Sequence, residues 1–385
     1  MAIRKRQWTA PDGSAKSAWL VDYRDQAGKR RAKQFARKKD AEAWLVGAAW
    51  QVSQGVHTAD SQSITVAEAA DLWVNKADAE GRERGTVTQY RQLAQKHVVP
   101  FLGAEKLSRL TRPAVEAYRD ELLKTRSKAM AGKAVRALSS IITEAQRRGL
   151  VAQNVASGVK VVRPARERSK IVIPSKDELK AILSSAGDDL RPMLMTAILT
   201  GLRSSELRGL RWSDIDLKQG LLTVAQRADK FGEIGLPKSA AGHRTIPIGP
   251  ALVTELKAWK LRCPKGELGL AFPNTAGGVQ QYGHLLRRKF LPLQIKAGVC
   301  DPVLVDGEPK LDAKGNPVMV ARYGFHALRH AAASAWIKQR IDLKRLQVWI
   351  GHESIQLTLD TYGHLITDAS GDAALIAATQ AELLA

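Results

Sequence analysis

The sequence predicts a multidomain, mainly α protein: a small N-terminal unit of β-sheet plus helix, an all-α domain, and a mixed, mainly-α domain with a small antiparallel sheet. The length of 385 residues is long for one domain and favours two or three. Alternating polarity, the pattern of a half-buried strand, occurs near the N-terminus, and further short strands are indicated only after residue 220. Between these regions, apolar side chains recur at helical spacing over about 100 residues, an ordinary domain size.

The charge of the chain indicates a polyanionic partner. Sixty Lys and Arg residues against 38 Asp and Glu residues give a net charge of +22. Such an excess favours contact with nucleic-acid phosphates, and a merely soluble basic protein is the alternative. Cys263 and Cys300 form no paired pattern, so no disulfide framework and no metal site is expected. MAIRKRQWTA lacks the apolar core of a signal peptide, and no run approaches a membrane span. We therefore expect a cytoplasmic, nucleoid-associated protein.

The N-terminal unit, residues 1–60, combines strands, one helix and many basic side chains. SAWLVDYRD alternates in polarity, and a turn at Gln26–Gly28 leads into a second strand, KRRAKQFA. A helix follows, with Trp44 and Leu45 among its apolar positions. Basic residues crowded beside aromatic ones favour DNA contact over a solvated strand. The residues expected to contact DNA are Lys29, Arg30, Arg31, Lys33 and Arg37.

An all-helical domain is predicted over residues 61–165. A capping box in TVAE, Thr65–Glu68, begins its first helix, and three more helices follow from their apolar spacing. RPARERSKIVIPS is basic, contains two prolines and lacks helical periodicity, so we interpret it as an interdomain linker. A second capping box, Ser175 with Glu178, opens the last domain, residues 170–385.

Two stretches of the last domain carry charged residues of ambiguous meaning. In TGLRSSELRGLRWSDID, Gly201 is expected to end one helix, and the next helix places Arg203 and Glu206 on one face. Taken alone, this pair favours a surface arginine with a local ion pair. In LLTVAQRADKFGEIGLPKSAAGHRTIPI, LLTV and HRTIPI are predicted strands. Lys238 lies between them, where a lysine is usually a solvated loop charge.

Two further stretches supply histidines and a tyrosine. In GFHALRHAAASAWI, His326, Arg329 and His330 share one helix face, and the alanines imply close packing. The spacing of the two histidines also fits a zinc pair, but no Glu or Cys completes the usual pattern. In WIGHESIQLTLDTYGHL, His352 and Tyr362 by themselves favour a buried histidine and a packed aromatic.

Together these stretches identify a family. R…K…HxxR…H…Y in this order resembles the tyrosine recombinase, or phage integrase, family, and TGLRSSEL, HALRHAAAS and IGHESIQLTLDTYGHL are similar to its three strongest motifs. The resemblance covers roughly Ser175–Leu365. Ile350 stands where leucine is commoner, and Ala327 replaces a frequent aspartate. The residues that the resemblance implies are catalytic Arg203, Lys238, His326, Arg329, His352 and Tyr362 as the nucleophile, with Glu206 as a supporting acid.

The resemblance implies a domain layout and an activity. Residues 1–60 would be an arm-type DNA-binding domain, residues 61–165 a helical, SAM-like core-binding domain, and residues 170–385 the catalytic domain. The activity would be site-specific recombination that integrates or excises a mobile element through a transient 3′-phosphotyrosyl link, with no ATP, cofactor or metal. The implied partners are double-stranded DNA attachment sites and three further copies in a homotetramer, with an excisionase and a host DNA-bending protein as candidate accessories.

The chemistry agrees with these residue types. Two guanidiniums can clamp the non-bridging oxygens of a phosphodiester, and a tyrosine of ordinary pKa near 10 needs a base or a cationic setting to attack. His326 is expected to take or relay the proton of Tyr362, Lys238 to protonate the leaving 5′ oxygen, and His352 to hydrogen-bond the phosphate. Lys230 lies in the same sheet region as Lys238 and stays an alternative. His364 has no matching role and is expected to be structural.

Other interpretations stay open at this stage. A non-catalytic DNA-binding regulator would explain the charge but not the catalytic set, and a type IB topoisomerase uses similar chemistry without strand exchange. In the family, a segment after the nucleophile packs on a neighbouring protomer; DAALIAATQAELLA suits this, with Ile376 and Leu383 on one face and Leu375 beside them. Packing on its own domain is the alternative. Residues 301–323 are predicted to be hairpin strands with turns at Asp306–Gly307 and Gly315–Asn316 and have no assigned role.

Overall fold

The fold is known from a computed structural model, and its two parts differ in architecture. The structure describes residues 1–25, 28–53, 57, 59, 62–162, 172–365, 376–377 and 380–384, without the side chains of Gln51 and His364. The chain divides into two compact units, Met1–Ser169 and Lys170–Ala385. The predicted division of the first unit at residue 60 stays a prediction. Most of the predicted linker, residues 163–171, lies outside the described residues, as do Leu375 and most of the predicted turn at Gln26–Gly28.

A three-stranded antiparallel sheet with one helix begins the first unit. Its elements are β1 (Ala2–Thr9), β2 (Ala15–Arg24), β3 (Arg30–Phe35) and α1 (Lys38–Ser53). The sheet order is β1-β2-β3, with Trp19 opposite Phe35 in the β2–β3 pair. Tyr23 is buried and meets the Trp44 ring of α1 edge-on at 5.1 Å. Strand β1 was not predicted because it is an exposed edge strand, so burial imposes no alternation on its sequence.

After α1, the described residues of the first unit are mainly helical. The helices are α2 (Val66–Ala79), α3 (Arg84–Leu93), α4 (Val99–Leu102), α5 (Arg112–Thr125) and α6 (Lys128–Arg147), with a π-helical turn at Ala94–Val98. The predicted capping box is confirmed: the Thr65 amide donates to Glu68 Oε2 at 2.7 Å, and the Glu68 amide donates to Thr65 Oγ1 at 3.2 Å. The apolar stripe of α6, including Leu138 and Ile141, is fully buried and forms the centre of this core.

The second unit is mixed, as expected, and is built around helix α8. Its helices are α7 (Lys176–Ser185), α8 (Arg191–Thr200), α9 (Ser204–Gly209), α10 (Pro250–Arg262), α11 (Tyr282–His284), α12 (Leu291–Lys296), α13 (Ala327–Lys338), α14 (Leu343–Ile350) and α15 (Ile355–Tyr362). Helix α8 carries buried residues over most of its surface, because α10 and α13 both pack against it. The predicted capping box of Ser175 and Glu178 is confirmed at the start of α7. No described helix is long and apolar enough to cross a membrane.

Short antiparallel strands complete the second unit. They are β4 (Ile215–Asp216), β5 (Leu221–Val224), β6 (Arg227–Ala228), β7 (Ile234–Gly235), β8 (Arg244–Pro247), β9 (Cys300–Pro302), β10 (Leu304–Val305), β11 (Glu308–Pro309) and β12 (Met319–Ala321). The sheet orders are β4-β5-β8, β6-β7, β9-β12 and β10-β11. The turn at Asp306–Gly307 is confirmed, with φ of 52° and 90° at its two residues, and Gly315 also has positive φ.

Gly209 fixes how helix α9 meets the β6–β7 hairpin. A Cβ atom at Gly209 would lie 2.7 Å from the Cα and carbonyl carbon of Arg227, which is closer than two carbons can approach. The Gln226 side chain also donates to the Gly209 carbonyl at 2.7 Å, so the two backbones are held in direct contact. This contact positions α9, whose first residues carry the charged motif TGLRSSEL.

We expect Gly209→Ala to lower the free energy of unfolding by about 1–3 kcal/mol, the range for overpacking a close contact. The control is Gly235→Ala in the same hairpin, where an added Cβ meets nothing within 4 Å. Urea denaturation followed by tryptophan fluorescence measures both variants. Equal stability of the two variants would contradict the close contact at Gly209.

Candidate active site

The junction between α8 and α9 presents the first arginine of the site. Gly201 ends α8 in the left-handed region, at φ 62°, as the sequence predicted. Arg203 is the N-cap of α9 and has extended backbone, so it precedes the helix by one residue instead of lying inside it. The Arg203 amide donates to Glu206 Oε2 at 2.8 Å. The helix end thereby fixes the Arg203 backbone and the Glu206 side chain together.

Glu206 is a buried carboxylate shared by two arginines. Only 3% of the Glu206 surface is exposed. Arg203 Nη1 donates to Glu206 Oε1 at 2.7 Å, and Arg244 Nη2 donates to Glu206 Oε2 at 2.9 Å. Burial by itself raises the pKa of Glu206, but the Arg244 and Arg203 charges outweigh it and lower the pKa to about 2. Taken alone, the motif favoured a surface ion pair, but the carboxylate lies inside the protein.

Arg244 is part of this cluster and was not predicted. Besides Glu206, it binds two carbonyl oxygens: Nε donates to Trp349 at 2.7 Å and Nη1 donates to Gly242 at 2.9 Å. Its side chain is 2% exposed. A signal was present in HRTIPI. Arg244 lies two residues before the buried Ile246, so both side chains are on the core-facing side of strand β8. An arginine on the buried face of a strand requires partners from elsewhere in the fold.

Gly351 brings the C-terminal motif onto the first arginine. It ends α14 at φ 68°, and its carbonyl accepts from Arg203 Nη2 at 3.0 Å. A Cβ atom here would lie 2.8 Å from Arg244 Nη1 and 3.0 Å from the Ala241 carbonyl oxygen. Any side chain at this position would therefore clash with its neighbours, and only glycine fits. The absence of a side chain at Gly351 also lets the Ala240–Gly242 turn, which directly follows Lys238 and Ser239, lie against the cluster.

Arg329 supplies a second guanidinium with an unused donor. Nη1 donates to the Gly201 carbonyl at 2.8 Å, while Nη2 is buried and has no hydrogen-bond partner among the described residues. Burial, together with the Arg203 charge, lowers the pKa of Arg329 to about 9, so it stays cationic at pH 7. A buried, unsatisfied cationic donor is costly, and an anion that accepts from Nη2 would satisfy it.

His352 and Tyr362 lie beside these arginines. Their ring centroids are 6.3 Å apart and the ring planes are nearly parallel, with an interplanar angle of 12°. His352 Nδ1 hydrogen-bonds Thr358 Oγ1 at 2.9 Å. Burial and the positive charges of Arg329 and Arg203 lower the pKa of His352 to about 4. Tyr362 is 1% exposed, and burial raises its pKa although both arginines oppose the rise.

The histidines of HALRHAAAS occupy different positions. His326 precedes α13 as its N-cap and is exposed, and its ring meets the His330 ring edge-on at 4.8 Å. Desolvation and the neighbouring charges of His330 and Arg329 lower the pKa of His326, so it is neutral at pH 7. His330 Nδ1 lies 2.9 Å from Tyr362 Oη, a contact that was not predicted. No group of three or more His, Cys, Asp or Glu side chains suited to a metal ion occurs in the described part of the chain.

Lys238 and Lys230 lie on loops of the second unit, and the N-terminal basic residues lie in the first unit. Lys238 is exposed on a bend between β7 and the Ala240–Gly242 turn, and Lys230 Nζ lies 4.9 Å from the Phe231 ring centroid. In the N-terminal unit, Lys29, Arg30 and Arg37 are exposed.

Four of the five N-terminal basic side chains have intramolecular partners: Arg30 pairs with Asp22 at 3.6 Å and Arg37 pairs with Asp40 at 2.8 Å. Arg31 Nε pairs with Asp25 at 2.8 Å, and these side chains are only 15% and 5% exposed, so Arg31 is the least available of the five to a phosphate. Lys33 Nζ lies over the Trp44 ring at 4.9 Å. DNA contact by these residues stays a prediction.

A comparison with known families decides what kind of protein carries this cluster. The sequence profile of the phage integrase family matches residues 175–368, half of the chain. The chain belongs to the phage integrase family. The resemblance predicted from its motifs is thereby confirmed, and this phage integrase is a tyrosine-type site-specific DNA recombinase.

Relatives of this phage integrase cover nearly the whole chain. The tyrosine recombinase XerC-like protein of Caldanaerobacter subterraneus subsp. tengcongensis is 26% identical over 369 residues, which cover 89% of this chain and 90% of that protein. The prophage integrase IntR of Escherichia coli K12 is 24% identical over 333 residues, which cover 80% of this chain and 78% of IntR.

Solved structures of integrases share its fold. The Tn1549 transposon integrase in complex with transposon right end DNA gives a TM-score of 0.65 at 18% identity, over 84% of this chain and 100% of that one. A lambda integrase tetramer bound to a Holliday junction gives 0.59 at 20% identity, over 90% and 95% of the two chains. The predicted multidomain, mainly-α fold with small sheets is confirmed.

We expect Glu206→Gln to lower the free energy of unfolding by about 3–5 kcal/mol, because it leaves the buried Arg244 guanidinium, and Arg203 beside it, without their counter-charge. The matched control is Glu255→Gln, whose carboxylate is 20% exposed and lies 3.5 Å from Arg191, so its loss is about 0–1 kcal/mol. The folded-state pKa of Glu206 is below its ordinary value of 4.5, so its stabilising charge is fully present above pH 4.5. The difference between wild type and Glu206→Gln should shrink as the pH falls from 4.5 toward 2. Urea denaturation at several pH values measures this difference, and a pH-independent difference would contradict the assignment.

Proposed function

We propose that this recombinase integrates and excises a mobile element by cutting and rejoining DNA at attachment sites, with Tyr362 as the nucleophile. The observation that carries the proposal is the buried, unpartnered Nη2 of Arg329 in a cationic cluster that also contains His352 and Tyr362. The cluster has the donors for one phosphodiester and a tyrosine beside them. Residue roles are assigned on this geometry and on the family resemblance.

Arg203 and Arg329 would hold the scissile phosphate. Each guanidinium already uses one Nη to bind a backbone carbonyl, at Gly351 and Gly201 respectively, which fixes its plane before DNA arrives. Donors fixed in advance stabilise the charge that gathers on the phosphorane without reorganising during the reaction. Glu206 pairs with both Arg244 and Arg203. The Arg244 pair fixes the carboxylate, and the carboxylate in turn holds Arg203 in place. Lysine in place of either clamp residue would keep the charge but lose the two-pronged geometry.

The remaining groups would move protons or bind the phosphate. His352 uses Nδ1 on Thr358, so its second ring nitrogen is left to donate to the phosphate. His326, neutral at pH 7, would take or relay the proton of Tyr362. Lys238 would protonate the departing 5′ oxygen. The phosphotyrosyl link conserves the phosphodiester for attack by a second 5′-hydroxyl, so we propose a reaction without ATP, cofactor or metal.

Assembly and DNA contact outside the catalytic unit belong to the same proposal. A lambda integrase in a solved structure is a tetramer on a Holliday junction, and we propose a homotetramer on two DNA duplexes here. Residues 376–377 and 380–384 are helical, and Ile376 and Leu383 are exposed, as a segment that packs on a neighbouring protomer requires. The arm-type domain 1–60 and the core-binding domain 61–165 would bind attachment-site DNA in the bacterial nucleoid, with excisionase and a host DNA-bending protein as accessories.

We expect Tyr362→Phe to bind attachment-site DNA like wild type and to form no covalent complex, because only the hydroxyl is removed. The substrate is a nicked duplex that carries the element's own junction, incubated with EDTA present. Denaturing gel electrophoresis measures covalent capture, and gel shift measures binding. Absence of capture by the wild type would reject the recombinase in favour of a DNA-binding regulator. Capture without exchange between two duplexes would favour a topoisomerase.

Sulfur in place of the scissile 5′ oxygen distinguishes the two lysines. A thiolate leaves without protonation, so a variant that lacks the general acid regains its rate on this substrate. We expect Lys238→Ala to slow covalent capture by about 100-fold on the oxygen substrate and to recover on the sulfur substrate. Lys230→Ala is the matched control and should react like wild type on both. The reverse pattern would assign the general acid to Lys230.

A further inference from the structure

The hydroxyl of the proposed nucleophile has a partner that the family motif does not account for. Tyr362 Oη lies 2.9 Å from His330 Nδ1, and the two rings meet edge-on with centroids 5.7 Å apart. We propose that His330 is the general base that accepts the Tyr362 proton during DNA cleavage. This inference rests on the proposed function, because it assigns a further catalytic residue to the same reaction.

Tyr362 needs a base because its surroundings disfavour the phenolate. The residue is 1% exposed and packs against Ala333, Leu346 and Ile350, so burial raises its pKa. A nucleophile of this kind is activated when a base lies within hydrogen-bond reach, about 2.6–3.2 Å. The 2.9 Å contact with His330 meets this requirement before DNA binds.

His330 is suited to receive a proton. It is half-buried, and burial with the adjacent Arg329 charge lowers its pKa, so the ring is neutral at pH 7. A neutral imidazole has one acceptor nitrogen; with the ring proton on Nε2, Nδ1 accepts from the tyrosine hydroxyl. The His326 ring, 4.8 Å away, lies next to His330 and offers the following position of a proton relay toward the exposed rim.

The other histidine beside the tyrosine is less suited to this role. The His352 and Tyr362 rings are nearly parallel with centroids 6.3 Å apart, and His352 Nδ1 is engaged by Thr358. His330, which meets the ring edge-on and touches Oη, has the geometry that proton transfer requires.

The step balances without an added reactant. Tyr362 Oη attacks phosphorus and gives its proton to His330 Nδ1, the Oη–P bond forms, and the bond from phosphorus to the 5′ oxygen breaks. That oxygen takes a proton from the general acid, Lys238 in the proposed function. On rejoining, a 5′-hydroxyl attacks phosphorus and gives its proton back to Lys238, the Oη–P bond breaks, and Oη regains its proton from His330.

The test is single-turnover covalent capture on the nicked substrate with oxygen or sulfur at the scissile 5′ position. The variants are His330→Ala, His330→Asn and the matched control His326→Ala. Asparagine can still accept the tyrosine hydrogen bond but cannot take its proton, so it separates catalysis from positioning. We expect both His330 variants to bind DNA normally and to react about 100-fold slower on both substrates. Added imidazole should partly restore His330→Ala by occupying the vacated space. His326→Ala should be slowed less than either.

The outcomes separate this inference from the proposed function. Failure of wild type to form the covalent complex would overturn both. If the wild type reacts and His330→Asn reacts at a similar rate, the inference alone is overturned. Rescue of the His330 variants by sulfur would also overturn it, because the defect would then lie at the leaving oxygen. Slow reaction on both substrates, with imidazole rescue of His330→Ala, supports His330 as the base.

Discussion

The site depends on one buried carboxylate, Glu206, held between Arg203 and Arg244. Removing the charges of Glu206 and Arg244 from water is costly and is tolerated only when the geometry satisfies both. Arg244 therefore also binds the Trp349 and Gly242 carbonyls. These bonds join the start of α9, strand β8 and the end of α14, which are far apart in sequence. Arg203 and the motif that carries Tyr362 are thus held in one rigid frame.

This frame gathers the guanidiniums of Arg203, Arg244 and Arg329 around one carboxylate, Glu206, so positive charge is in excess among these residues. Arg329 lies in the same low-dielectric region, and burial together with the Arg203 charge lowers its pKa to about 9. Its spare donor has no acceptor among the described residues. In the proposed function, a phosphodiester would satisfy this donor and reduce the repulsion between the guanidiniums at once, so DNA binding and transition-state stabilisation would draw on the same charges.

Local features of the fold were predictable because their hydrogen bonds span a few residues. Both capping boxes, the left-handed Gly201 and the Asp306–Gly307 turn follow from short-range rules. Features set by distant partners were not. Arg244 is buried only because Glu206 and Trp349, 38 and 105 residues away, meet it. Strand β1 carries no alternation because neither of its faces is buried.

By itself, the sequence determined the residue types, their order and the family, since the chemistry of phosphate transfer restricts which side chains can appear in R…K…HxxR…H…Y. Only the tertiary structure decided which histidine touches the tyrosine. His326 and His330 share one helix face four residues apart, so spacing alone does not distinguish them. The distance from Tyr362 Oη to His330 Nδ1 depends on how α15 packs on α13, where Ala333 lets the tyrosine ring approach. That packing is a property of the whole core, and no short segment of the chain encodes it.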